Sequence, residues 1–253
     1  MQNLVTDTNF WYDANAGEQF AIQFQDFNIC PTWLNLIELI STEITSLERY
    51  RAVLGASRKL LLHIHNLVDL HPLQLICERT GLLYEQQPQA FYLANTFKQW
   101  LANFETLRLS EVMKRSSAYY AARKDFLIDI LLEDQKTVQQ VQTGQVIPQP
   151  SFVEYDTLFE CKKLWSLEID IGQIKILGQD ESFWSDFQFY IQVRRTYFDR
   201  FNRGIKKVID INDVFDIYNT IYVRNGDVYY SRDKILKHID SKVQNIVLPQ
   251  IAK

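Results

Sequence analysis

The sequence predicts an α/β fold: a central, mostly parallel sheet flanked by helices, with a large and mainly helical insertion in the middle of the chain. Three observations carry this reading. Short β-like runs lie near the start (Asn3–Asn9 and Phe27–Cys30) and near the end (Val228–Tyr230) of the chain. Between them, apolar residues recur largely at helical spacing. Gly and Pro are scarce, 8 and 6 among 253 residues, which favours long helices and few loops.

The composition bounds the problem. At 47% hydrophobic and 23% charged residues the chain is near the globular average and can bury a core. A net charge of −4 excludes polyanion binding by bulk charge, so any nucleic-acid contact needs a local basic patch. Three cysteines with no C-x-x-C pair point to free thiols in a reducing compartment. Asp7 and Asp13 come too early for a secretory signal, and no apolar run reaches the roughly 18 residues of a membrane helix. The expectation is a cytoplasmic protein with no membrane partner, one domain over 1–253. Its core would come from about 1–84 and 181–253, and the helical insertion would cover about 85–180.

The elements follow in order. Asn3–Asn9 reads as a first strand with Asp7 at its C-terminal end, then a helical or irregular stretch to about Gln25, then a second strand at Phe27–Cys30. Pro31 suits a first helical turn and opens a helix to about Arg49, with Trp33, Leu36, Ile37, Ile40 and Ile44 on its buried face. Helices broken near Pro72, Gly81 and Pro88 follow to Leu109. Ser110 is placed to cap a long helix to about Val141. The polar stretch Gln139–Pro150 is the best linker, and a helix covers Val153–Leu167. Ile169–Leu177 reads as a strand or an irregular connection. Glu181–Arg203 is helical and Gly204 ends it. A short helix then carries Asp213 and Asp216. After the turn Asn225-Gly226-Asp227 comes the strand Val228–Tyr230, with Asp233 beyond its end, and a last helix spans Lys234 to about Gln244.

Candidate chemistry lies in the carboxylates. Asp213 and Asp216 are three apart, so a helix places them on one face. In a parallel α/β sheet ligands bind outside the strand C-termini, where Asp7 and Asp233 fall. Carboxylates gathered there raise one another's pKa, and a hard divalent cation offsets the repulsion. Asn212 or Asp213 could instead be a helix N-cap, with Asp216 stabilising the first helical turn, and Asp213 and Asp216 compete for one position in the set.

The residues Asp7-Thr8-Asn9, Glu38-Leu39 within an apolar helix, a helix-start aspartate and Ser231-Arg232-Asp233 resemble, in that order, the motifs of the PIN-domain ribonucleases. Ser231 stands where that family has threonine. The resemblance covers roughly the first and last fifth of the chain, and the helical middle lies outside it. It implies an endoribonuclease that hydrolyses RNA phosphodiesters through a water activated by Mg²⁺ or Mn²⁺. Asp7, Glu38, Asp216 (or Asp213) and Asp233 would hold the metal, with Asn9 and Ser231 supporting them. It also implies an RNA-processing enzyme or the toxin of a toxin–antitoxin pair. The expected partners are single-stranded RNA, an antitoxin or other protein, and a second copy of the chain. The alternative is a non-catalytic protein of the same fold that binds or assembles through the helical middle.

A basic cluster, Arg194, Arg195, Arg200, Arg203, Lys206 and Lys207, is interleaved with Tyr197, Phe198 and Phe201. It is the candidate nucleic-acid surface. His63 and His65, two apart, diverge on a helix and do not form a zinc pair.

Overall fold

The structure is a computed structural model that describes residues 1–17, 20, 22–82, 93–145, 151–165, 167, 169–205, 208, 210–233, 236, 239 and 246–247. Strands β1 (Gln2–Thr6), β2 (Phe27–Cys30), β3 (Val228–Tyr230) and β4 (Ile246–Val247) form one parallel sheet in the order β2-β1-β3-β4. The helices are α1 (Thr8–Ala16), α2 (Trp33–Ile40), α3 (Leu47–Leu62), α4 (Pro72–Thr80), α5 (Ala94–Thr106) and α6 (Leu109–Gln142). After them come α7 (Phe152–Trp165), α8 (Ile171–Gln179), α9 (Glu181–Trp184), α10 (Gln188–Asn202) and α11 (Ile211–Asn219). The chain is thus α/β and mostly helical. Among the described residues no helix is long and apolar enough to cross a membrane.

Alternation along the strands sets the two faces of the sheet. Leu4, Val228 and Tyr230 pack with α1, α3 and α5 through Phe10, Trp11, Leu54, Leu60 and Phe97. Val5 and Tyr229 point the other way, into a second core with residues of α4, α7, α10 and α11. That core includes Val138, Leu158 and Ile174, so the middle helices complete one face of the sheet. Helix α2 serves both sides: Trp33 and Leu34 join one core, Leu36 and Leu39 the other. Its sequence is apolar nearly all round because it is buried nearly all round.

Several boundaries differ from the sequence reading, each for a local reason. The helix expected from Pro31 to Arg49 is two helices. Thr32, not Pro31, starts α2 with a capping box to Asn35. Its end follows where the Ser41 and Thr42 hydroxyls donate to the carbonyls of Ile37 and Glu38, at 2.5 and 2.7 Å. Ser46 then caps α3. Pro72, at the first turn of α4, shows the role expected of Pro31. Ser110 lies inside α6 rather than capping it.

Residues 171–179 are helix α8, started by a capping box between Asp170 and Gln173 that apolar alternation conceals. The helix expected over 181–203 breaks into α9, a 3₁₀ turn at Ser185–Phe187, and α10. Gly204, at φ +66°, closes α10: its own N–H reaches Phe201 O and the N–H of Ile205 reaches Arg200 O, both at 2.9 Å. The proposed linker is helical through Gln142, and its end, 146–150, lies outside the described residues. So does most of the expected last helix. Cys30, Cys77 and Cys161 are buried and in no disulfide among the described residues.

Candidate active site

Parallel pairing brings the C-terminal ends of β1 and β3 side by side, with Leu4 opposite Val228 and Thr6 opposite Tyr230. The Asp7 N–H extends the ladder by donating to Tyr230 O at 3.0 Å. Asp7 and Ser231 therefore leave the sheet next to each other. Asp7 is buried, 5% exposed, and caps α1: its Oδ1 accepts from the Phe10 N–H at 3.2 Å. Its Oδ2 accepts from Asn9 Nδ2 at 3.3 Å, and the nearby Ser231 side chain also favours the charged carboxylate. The same Ser231 oxygen accepts from the Asp233 N–H at 3.0 Å. One hydroxyl thus sits between the first acid and the backbone of the last.

Glu38, in the last turn of α2, reaches the opening of α1, where Thr8 Oγ1 donates to its Oε2 at 2.5 Å. On α11 the two aspartates divide. Asp210, not Asn212 or Asp213, is the N-cap, and Asp213 completes its capping box by accepting from the Asp210 N–H at 2.8 Å. The other Asp213 oxygen lies 3.3 Å from the Tyr197 hydroxyl, and that hydroxyl lies 3.2 Å from Asp233 Oδ2. Asp216, one turn on and only partly exposed, has no hydrogen bond or ion pair to any described residue.

The electrostatics follow from this crowding. Burial, then the charges of Asp233, Glu38, Asp7 and Asp213, hold the Asp216 carboxyl well above the usual aspartate range. Burial is also the largest cause pushing Asp7 up to about 6; Glu38 adds to it, while the bonds from Ser231, Asn9 and the Phe10 N–H oppose it. These acids come from four separate segments of the chain and interact at one end of the sheet.

A buried amide network fixes the segments. Asn35 Oδ1 accepts from the Thr32 N–H at 3.0 Å, from Thr6 Oγ1 at 3.2 Å and from Trp11 Nε1 at 3.2 Å. Asn219 Nδ2 donates to Thr6 O and to Tyr229 Oη, both at 3.1 Å, and its Oδ1 accepts from Thr32 Oγ1 at 2.7 Å. Neither asparagine stands out in the sequence as a functional residue. The available signal was a single amide set within an apolar stretch, as in Trp33-Leu34-Asn35-Leu36.

Arg194 does not belong to the expected basic surface. Arg194 is 1% exposed and cannot contact nucleic acid: its guanidinium pairs with Asp134, Asp156 and Glu160 at 2.6, 2.7 and 2.6 Å. Tyr197, Phe198 and Phe201 are buried, so no base can stack on them. Arg195 pairs with Glu154, Arg200 is half-buried and Arg203 is exposed. Lys206 and Lys207 lie outside the described residues.

The three partners of Arg194 form the one described acidic group whose ligating atoms all lie within 4.8 Å of one another. With a guanidinium already bonded to each, it is a core ion cluster rather than a cation site. The strand-end acids are more widely spread. As hard oxygen donors that disfavour one another's charge they suit a small divalent ion, which commonly keeps waters between itself and part of its protein shell.

Comparison with protein-family models, with curated proteins and with solved structures returns no match. A functional reading therefore rests on these residues and the geometry they take.

Proposed function

We propose that the chain is a divalent-cation-dependent ribonuclease whose site is the acidic group at the ends of β1 and β3. The observation that carries the reading is Asp216: a largely buried carboxylate with no described hydrogen bond or ion pair, raised by burial and by the charges of Asp233, Glu38, Asp7 and Asp213. Leaving such a group uncompensated costs stability, and a bound Mg²⁺ or Mn²⁺ would offset that cost. Asp7, Glu38, Asp216 and Asp233 are the residues that would hold the ion. Asp213 is the weaker candidate for the third acidic position, since both its oxygens are engaged, by the Asp210 N–H and the Tyr197 hydroxyl.

When bound, the ion supplies polarisation of a phosphoryl oxygen and a lower pKa for an attacking water. The chain supplies the rest. Asn9 and Ser231 orient the Asp7 carboxylate, Ser231 holds the backbone of Asp233, and Thr8 holds Glu38. RNA as substrate, and a role in RNA processing or as a toxin, come from the resemblance to PIN domains. The role of an antitoxin or a second copy of the chain as partner is part of the same proposal.

The test is cleavage of total RNA by purified protein with Mn²⁺, with Mg²⁺ and with chelator, using wild type and Asp216→Asn. The expected result is metal-dependent fragmentation by wild type alone. Fragmentation that survives chelator, or that the variant retains, overturns the assignment. Intact RNA together with no effect of Mn²⁺ on the melting temperature instead favours the non-catalytic binding or assembly role.

A further inference from the structure

Four elements bring acids to the site, and one side chain on the fourth bonds to the other three. Asn219 is the last residue of α11, one turn after Asp216, and is 4% exposed. Its Nδ2 donates to the carbonyl of Thr6, the residue before Asp7, and to the hydroxyl of Tyr229, on the strand that leads to Ser231 and Asp233. Its Oδ1 accepts from the hydroxyl of Thr32, the N-cap of the helix that carries Glu38.

We infer that Asn219 is the positioning residue of this site: it holds the ends of β1 and β3, the start of α2 and the acidic face of α11 at one fixed spacing, and so sets the affinity of the acidic group for a divalent cation. This rests on the reading of the site proposed above. The physical need is plain. Like charges brought together in a poorly solvated place push their supports apart, and helices and strands joined only by apolar packing can slide to relieve the strain. A primary amide offers two N–H donors and a carbonyl acceptor in one rigid plane, and here it uses both ends. Aspartate would keep the acceptor and lose both donors, and would bring a further negative charge; leucine would keep the volume and lose every bond. Outer partners that orient ligands commonly change metal affinity without touching the metal.

The test compares full-length wild type, Asn219→Ala and Thr157→Val. Thr157 is a comparable buried polar group in the Arg194 cluster, where its hydroxyl lies 2.8 Å from Tyr190 Oη. Mn²⁺ affinity is read by titration calorimetry, and amide hydrogen exchange is read at Asp7 and Thr8. Asn219→Ala is expected to weaken Mn²⁺ binding about 10–100-fold and to speed exchange at Asp7. Thr157→Val is expected to lower stability and leave both readouts at the wild-type level.

Wild-type Mn²⁺ affinity in Asn219→Ala overturns the inference, as does an equal loss in Thr157→Val, which would make the effect one of general stability. If Asn219→Ala fails to fold, Tyr229→Phe removes the 3.1 Å bond from Asn219 without touching a helix cap and tests the same link. If wild type takes up no Mn²⁺, the cation reading falls by itself. The tie is then judged by exchange, and unchanged protection of Asp7 in the variant overturns it.

Discussion

Asp7→Asn is the substitution that separates charge from structure most cleanly. Asparagine caps a helix as well as aspartate, so α1 keeps its bond from the Phe10 N–H. What is lost is a negative charge in a site that disfavours it. The Asp7 carboxyl is raised from 3.8 to about 6, chiefly by burial. A raised carboxyl pKa means that the folded state holds the proton more tightly than the unfolded chain, so stability is greatest at low pH and falls as pH rises through about 6. The full effect is about 3 kcal/mol, of which about 1.4 kcal/mol falls between about pH 5 and about pH 8.

At about pH 8 the variant escapes this penalty but loses the bond from Asn9, worth about 1 kcal/mol, leaving a net gain of about 2 kcal/mol. That corresponds to a melting temperature higher by about 4–8 °C in metal-free buffer. The assay is thermal unfolding followed by circular dichroism across that pH range. The slope of stability against pH should flatten in the variant, and the rise in melting temperature that Mn²⁺ gives to wild type should disappear. A variant less stable than wild type at about pH 8, or one with an unchanged pH slope, would refute the electrostatic account.

Other outcomes follow from the same picture. Asp216→Asn should also raise the melting temperature without metal while abolishing RNA cleavage, because its carboxylate is the most opposed of the group; a lower melting temperature would count against this. Arg194→Met should destabilise by about 3–5 kcal/mol, measured by urea unfolding, since it strips three acids of their cation. The loss should be smaller at low pH, where Asp156, pushed up to about 7 chiefly by burial, and Asp134 are protonated. Gly178→Ala should cost about 1–3 kcal/mol, because a Cβ there would lie 2.2 Å from the Tyr155 ring and must push α8 away from α7; unchanged unfolding would show that the ring moves freely.

Much of the sheet was legible in the sequence. Phe27–Cys30 and Val228–Tyr230 are strands over the expected residues, and the Asp7 position follows from the polar end of the first run. Local hydrogen-bond chemistry was harder to read. Thr32, Ser46, Asp170 and Asp210 start helices by side-chain capping, and apolar periodicity, which reports burial, is blind to where a helix begins. The same limit misplaced Arg194. Arg194 looks like a surface residue by type, and its three acidic partners are far away in the sequence, so its burial could be seen only in three dimensions. The Asp213 and Asp216 pair is the reverse case. Both were visible, but only the capping box on Asp213 shows that they do different things.

The pairing of β1 with β3 has a consequence for synthesis. The first strand has no neighbour on that edge until the distant segment Val228–Tyr230 has been made. Contacts this remote in sequence form late and slowly. Ser231 and Asp233 therefore cannot join Asp7 before their own segment has been made, and whatever chemistry the completed pocket performs is withheld until then.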